Sequence, residues 1–140
     1  MAVVVDTSVL YALVDAADAW HGRAAAALAQ EVEAVIVPQA TLPEVCYLIG
    51  SRMNAHREAD FVRLLAESEW RLEPLTDADL PRVAALMHEY ADARIGFVDA
   101  CVVAIAERIG AVRVYTLDVR HFGMIRPAHV DRFELKPGSL

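Results

Sequence analysis

Lysine is almost missing from this chain: Lys136 is the only one, and the 13 basic residues are outnumbered by 20 acidic ones. The resulting net charge of -7 excludes a protein whose whole surface attracts nucleic acid, because such domains are basic. A local basic patch is still compatible with it. Glycine is scarce, six residues in all, and neither Gly-x-Gly-x-x-Gly nor Gly-x-x-x-x-Gly-Lys occurs, so the loops that cradle phosphates lack their glycines. The Gly-x-Ser-x-Gly elbow is absent too, and His21, His56, His88, His121 and His129 have neither i,i+4 metal spacing nor a cysteine partner, which ranks serine and zinc hydrolysis low. The two cysteines, Cys46 and Cys101, lie in apolar helix-like segments, where free cysteine acts as a small hydrophobe suited to a reducing compartment. No apolar run approaches the ~18 residues of a bilayer span, and no basic n-region precedes the short apolar start. These absences predict a soluble cytoplasmic protein.

With 56% hydrophobic and 24% charged residues, the composition is that of one ordinary globular domain, residues 1–140, without repeats or linkers. Chains of this length bury roughly two-thirds of their unfolded surface and need no disulfide or metal staple. Ala2-Val3-Val4-Val5 is an apolar run dominated by valine, suited to a strand buried on both faces, and Asp6-Thr7-Ser8 ends it and can start a helix. Helices are predicted over Trp20–Glu33, Leu42–Met53, Ala55–Glu67, Asp77–Tyr90 and Phe97–Ile109, the last closed by Gly110. Further strands are predicted over Ala34–Val37, Trp70–Pro74, Val112–Leu117 and Arg132–Lys136. Strands alternating with helices imply right-handed βαβ units and an α/β fold on a parallel sheet. In such sheets ligands bind beyond the carboxyl ends of the strands, where strand order reverses.

Four carboxylates stand where apolar residues or strand ends are otherwise expected. Asp6 follows Ala-Val-Val-Val, and Asp118 follows Val114-Tyr115-Thr116-Leu117 in the same way. Helical spacing aligns Asp99 with Val102, Val103 and Ala106, and Glu44 shares a side with Leu48 in a segment apolar nearly all round. Acids gathered in one crevice raise each other's pKa and require an offsetting positive charge, and no arginine adjoins them in sequence. A divalent cation such as Mg²⁺ or Mn²⁺, which takes hard oxygen ligands, meets that need, and water on such an ion is a ready nucleophile. Each acid also has a purely structural role open to it. Asp6 could be an N-cap, Thr41-x-x-Glu44 is a formal capping box, Asp99 suits a helix N-terminus and Asp118 suits an Asx turn. Taken singly these roles are at least as good; the coincidence of all four favours a site. Asp92 is a fifth acid, better read as a cap or supporting group before the next helix.

Val3-Val4-Val5-Asp6-Thr7-Ser8-Val9-Leu10, Pro43-Glu44-Val45, Gly96-Phe97-Val98-Asp99-Ala100 and Thr116-Leu117-Asp118-Val119-Arg120-His121-Phe122 together resemble the four acidic motifs of PIN-domain nucleases. The length is most similar to that of VapC, the toxin of bacterial VapBC toxin-antitoxin pairs, and the resemblance spans the whole chain. It implies a three-layer α/β/α sandwich with a central parallel sheet and Mg²⁺- or Mn²⁺-dependent endoribonuclease activity leaving 5′-phosphate and 3′-hydroxyl ends. Asp6, Glu44, Asp99 and Asp118 match the catalytic, metal-binding quartet, and Thr7 or Ser8 matches the hydroxyl beside the first acid. Some members carry another acid two residues after the fourth, where this chain has Arg120. The resemblance also implies a homodimer, an RNA substrate and a VapB-like antitoxin seated in a groove.

An RNA substrate sits uneasily with the net charge, since adding two Mg²⁺ gives -7 + 4 = -3. Binding must therefore rest on the ion and on local cations. Candidate clusters are Arg120, His121 and Arg126, and, with a helix-dipole role favoured instead, Arg52, His56 and Arg57. Trp20, Val62, Leu64 and Leu65 could present an apolar docking face, although such residues are more often core. Two rivals stand beside the nuclease: a phosphoacceptor receiver-like Mg-binding module, with Lys136-Pro137 as its lysine motif, and a non-catalytic domain of the same fold. Receivers need paired acids after the first strand, and here Thr7 and Ser8 occupy those positions.

Overall fold

The computed structural model describes residues 1–138. The valine run forms β1 (Ala2–Val5), the middle strand of a five-stranded sheet of order β3-β2-β1-β4-β5, completed by β2 (Ala34–Pro38), β3 (Arg71–Glu73), β4 (Arg113–Tyr115) and β5 (Glu134–Lys136). Every pairing is parallel, with Val4 opposite Ile36 on one side and Val114 on the other. Side chains alternate across a strand, and the core divides accordingly. Val4, Ile36 and Val114 belong to one apolar cluster; Val3, Val5, Val37 and Tyr115 belong to the other.

Helices α1 (Thr7–Val14), α2 (His21–Ala29), α3 (Leu42–Arg52) and α4 (Ala55–Glu67) cover the second cluster through Leu10, Leu28, Ile49 and Phe61. Helices α5 (Leu80–Glu89), α6 (Phe97–Ile109) and α7 (Val119–Met124) cover the first through Leu86, Val102 and Phe122. This is the expected α/β/α sandwich. From β1 the chain builds outward to β2 and β3, then returns past β1 to form β4 and β5, so strand order reverses between β1 and β4. No described helix is long and apolar enough to cross a membrane.

Differences from the sequence reading are local and have identifiable causes. Helix α2 stops at Ala29 rather than Glu33, and the Glu31 side chain reaches across to Arg113 Nη1 at 2.9 Å and the Tyr115 hydroxyl at 2.7 Å. The capping box at Thr41 does not form: Thr41 is already helical in a 3-10 turn, and its hydroxyl donates to the Pro38 carbonyl at 2.7 Å. A capping box is present instead at Thr76 and Asp79, before α5. Strand β4 ends at Tyr115, because Thr116 and Leu117 turn their polar groups toward the end of β1. The six-residue α7 was not anticipated, and Asp118 is its N-cap, accepting from the His121 N–H at 3.1 Å.

Candidate active site

Asp6 leaves β1 and Thr116 leaves β4 as adjacent strand ends, at the point where strand order reverses. The Asp6 N–H still donates to the Tyr115 carbonyl at 2.8 Å, holding the two ends in register as the chains diverge. Thr116 is buried, and its Oγ1 donates to Asp6 Oδ2 at 2.9 Å while accepting from the Asp118 N–H at 3.0 Å. Ser8 Oγ accepts from the Leu117 N–H at 2.9 Å. Two hydroxyls thus lace β1 to the segment after β4 and orient both acids. Thr116 is a functional residue that the four acidic motifs do not single out; its sequence signal is a hydroxyl two residues before an acid at a strand end.

All four predicted acids line one cleft of about 320 Å³, together with Thr7, Ser8, Tyr11, Asp18, Leu48 and Arg52. Asp6 is 4% exposed, and it makes no cap bond to α1, so its structural alternative fails. Asp99, in the first turn of α6, is partly buried. Glu44 departs from the expectation of a helix apolar nearly all round: on α3 it lies on an exposed strip with Pro43 and Tyr47, the last 71% exposed. It reaches the cleft from its rim. Asp92 neither lines the cleft nor caps α6, whose N-cap is Gly96. Arg120 is exposed on α7 and lies outside the cleft lining.

Burial raises the Asp6 carboxyl to about 7, helped by the negative charges of Asp99 and Glu44 and opposed by the Thr116 hydroxyl and the Thr7 N–H. Burial likewise raises Asp99, with Asp118 and Glu44 adding to the shift and the His121 ring opposing it. Among the described residues no guanidinium or ammonium pairs with any of the four acids. Arg52, the arginine in the cleft, has its guanidinium over the Tyr11 ring at 5.0 Å. Asp6 Oδ1 and Thr7 Oγ1 are buried without a hydrogen-bond partner. A hard dication fits this donor set, because it would satisfy an orphaned oxygen and offset charges that nothing else neutralises.

The histidine missed by spacing is His121. Its Nδ1 stands 2.8 Å from Asp118 Oδ2 and 3.5 Å from Asp99 Oδ2. Asp118-x-x-His121 puts both side chains on one turn of α7, a spacing that lies outside the i,i+4 histidine pattern. A different cleft, about 430 Å³ between α2, β4 and β5, holds Lys136, Glu31 and Arg113, so the lysine of the receiver-like alternative is not at the acids.

A PIN-domain family profile matches residues 3–125. Ribonuclease VapC26 of Mycobacterium tuberculosis is 33% identical over 134 residues, covering 96% of this chain and 99% of that protein. Among solved structures, VapC20 of Mycobacterium tuberculosis, a Sarcin-Ricin loop cleaving toxin, superposes with a TM-score of 0.78 at 24% identity, over 84% of this chain and 90% of that one. VapBC2 of Rickettsia felis, bound to a DNA fragment from its promoter, gives a TM-score of 0.71 at 13% identity over 97% and 98% of the two chains. Strand-end acids, the switch-point cleft and a family match over most of the length converge on one conclusion: this chain belongs to the PIN-domain family, in its VapC branch.

Proposed function

We propose that this chain is a metal-dependent endoribonuclease and the toxin of a VapBC-type pair, localised in the cytoplasm. The observation that carries the reading is the convergence of Asp6, Glu44, Asp99 and Asp118 on one cleft, with no ion pair from an arginine or lysine to any of them among the described residues. Its similarity to Ribonuclease VapC26 supports RNA as the substrate, and its fold likeness to toxin-antitoxin complexes such as VapBC2 supports a VapB-like antitoxin as partner.

Asp6 and Asp99 would hold a principal Mg²⁺ or Mn²⁺, with Asp118 and Glu44 completing the site directly or through water. The bound ion supplies Lewis acidity toward water and phosphate oxygens, which is what in-line hydrolysis of a phosphodiester requires. Thr116 fixes the Asp6 carboxylate through its hydrogen bond to Oδ2, and the unpartnered Oδ1 is the oxygen that would be available to the ion. Ser8 ties the turn after β1 to Leu117, and its hydroxyl, rather than the buried one of Thr7, would be the one to meet the scissile phosphate. Arg120, exposed one turn from the acids, would meet the phosphate backbone outside the cleft. Products with 5′-phosphate and 3′-hydroxyl ends are expected.

The test is incubation of the purified protein with total bacterial RNA in Mg²⁺, in Mn²⁺ and in excess chelator. Fragments that require the metal and vanish in Asp6→Asn are the expected result. Cleavage that persists under chelation, or an Asp6→Asn protein as active as wild type, overturns the assignment.

A further inference from the structure

We propose that His121, which stands beside Asp99 and Asp118 without lining the cleft itself, is a metal ligand and gives the site a mixed nitrogen and oxygen donor set that prefers Mn²⁺ over Mg²⁺. One donor atom each from Asp99, Asp118 and His121 lies within 4.8 Å of the others. Ligand atoms roughly 2.1 Å from a shared ion are at most about 4.2 Å apart, so small side-chain adjustments close the set. The His121 Nδ1 atom is buried and, although close to two carboxylates, is aligned for a hydrogen bond with neither. An imidazole nitrogen left without a hydrogen-bond partner beside two carboxylates is a donor atom available to a cation.

Asp6, 4% exposed and with its Oδ1 unpartnered, is a second observation that points to a ligand in this cleft. The backbone makes the placement robust. Asp118 Oδ1 caps α7 through the His121 N–H, leaving Oδ2 and the imidazole one turn apart on the same side. Imidazole nitrogen is a favourable donor to first-row transition ions and a poor one to Mg²⁺, which keeps oxygen ligands and water. Selectivity for the ion therefore comes from this one side chain.

The inference rests on the metal-dependent reading above, and its test separates the two. The metal-free protein is loaded with Mn²⁺, and pulsed electron paramagnetic resonance is recorded for ¹⁴N coupling, alongside calorimetric titration with Mn²⁺ and with Mg²⁺. Wild type should show one imidazole coupled to Mn²⁺, absent in His121→Ala. That variant should lose Mn²⁺ affinity by roughly tenfold or more, the scale seen when even an outer partner of a ligand is removed. Its Mg²⁺ affinity should change far less. Because the cap to Asp118 uses the His121 backbone, the variant keeps α7, and unchanged circular dichroism checks this. Mn²⁺ that binds without ¹⁴N coupling, or with equal losses for both ions, overturns the role of His121 and leaves the nuclease reading standing. Failure of wild type to bind either ion, or binding that survives Asp6→Asn unchanged, overturns both.

Discussion

Asp6 concentrates the conflict on which the site depends. Folding removes its carboxylate from water and sets it near Asp99 and Glu44, so its pKa rises from 3.8 to about 7. In the metal-free protein the native state therefore retains a proton that the unfolded chain releases between those values. Stability is highest below the unfolded pKa and is lost as pH rises through the folded one. Denaturant melts in chelator should show wild type losing on the order of 3 kcal/mol between pH 4 and pH 7, with Asp99 contributing in the same direction. Asp6→Asn should flatten that slope and be the more stable protein at neutral pH. A wild-type stability that rises over this range would show that burial does not set the Asp6 titration. The acids were legible at this scale because a charge directly after a valine run is conspicuous. His121 and Thr116 were not, since their significance depends on which groups the strand ends bring beside them.

At the scale of elements, α7 carries most risk for function. A helix of six residues has little stability of its own, and this one is held by the Asp118 cap and by Phe122, which is 1% exposed against α6 and the sheet. Phe122→Ala should cost about 3–5 kcal/mol, and with α7 loosened, Asp118 leaves the cleft, His121 leaves Asp99, and RNA cleavage falls with them. Hydrogen exchange across residues 119–124 reads this directly; unchanged protection there would refute the anchoring role. Asn54 provides the contrast. It caps α4 by accepting from the Arg57 N–H at 2.9 Å, far from the acids, so Asn54→Ala should lower stability by about 1 kcal/mol and leave the cleavage rate intact. The long helices were legible because their apolar periodicity extends over several turns. The short α7, the 3-10 turns and the early end of β4 were not, because each is set by contacts with residues distant in sequence.

Across the whole molecule, most arginines are engaged. Arg82 holds Glu107, Arg108 bridges Glu73 and Asp79, and Arg113 bridges Glu31 and Glu134. Arg94, Arg120 and Arg126 are exposed and carry no ion pair among the described residues. They are among the cations an acidic protein can offer to phosphate, together with Arg52 in the cleft lining. In an Asp6→Asn background, which prevents cutting, Arg120→Ala should reduce the slope of log affinity for single-stranded RNA against log salt by about 0.7. An unchanged slope would remove Arg120 from the interface. Tyr47, Val62 and Leu64 stand exposed on α3 and α4, whereas Leu65 packs on the core and Trp20 is partly covered, with Arg23 over its ring. For the homodimer that the family resemblance implies, light scattering on the eluting peak should give twice the 15.4 kDa chain mass. A strictly monomeric species at high concentration would contradict it.

Local patterning alone determined the alternation of strands and helices, the parallel sheet and the four acids, because hydrophobic periodicity and strand-terminal charge are properties of neighbouring residues. Tertiary structure alone decided that those acids share a cleft, that no described guanidinium pairs with them, and that an imidazole stands beside two of them. These outcomes depend on the reversal of strand order between β1 and β4, which places the ends of segments more than a hundred residues apart within hydrogen-bond distance.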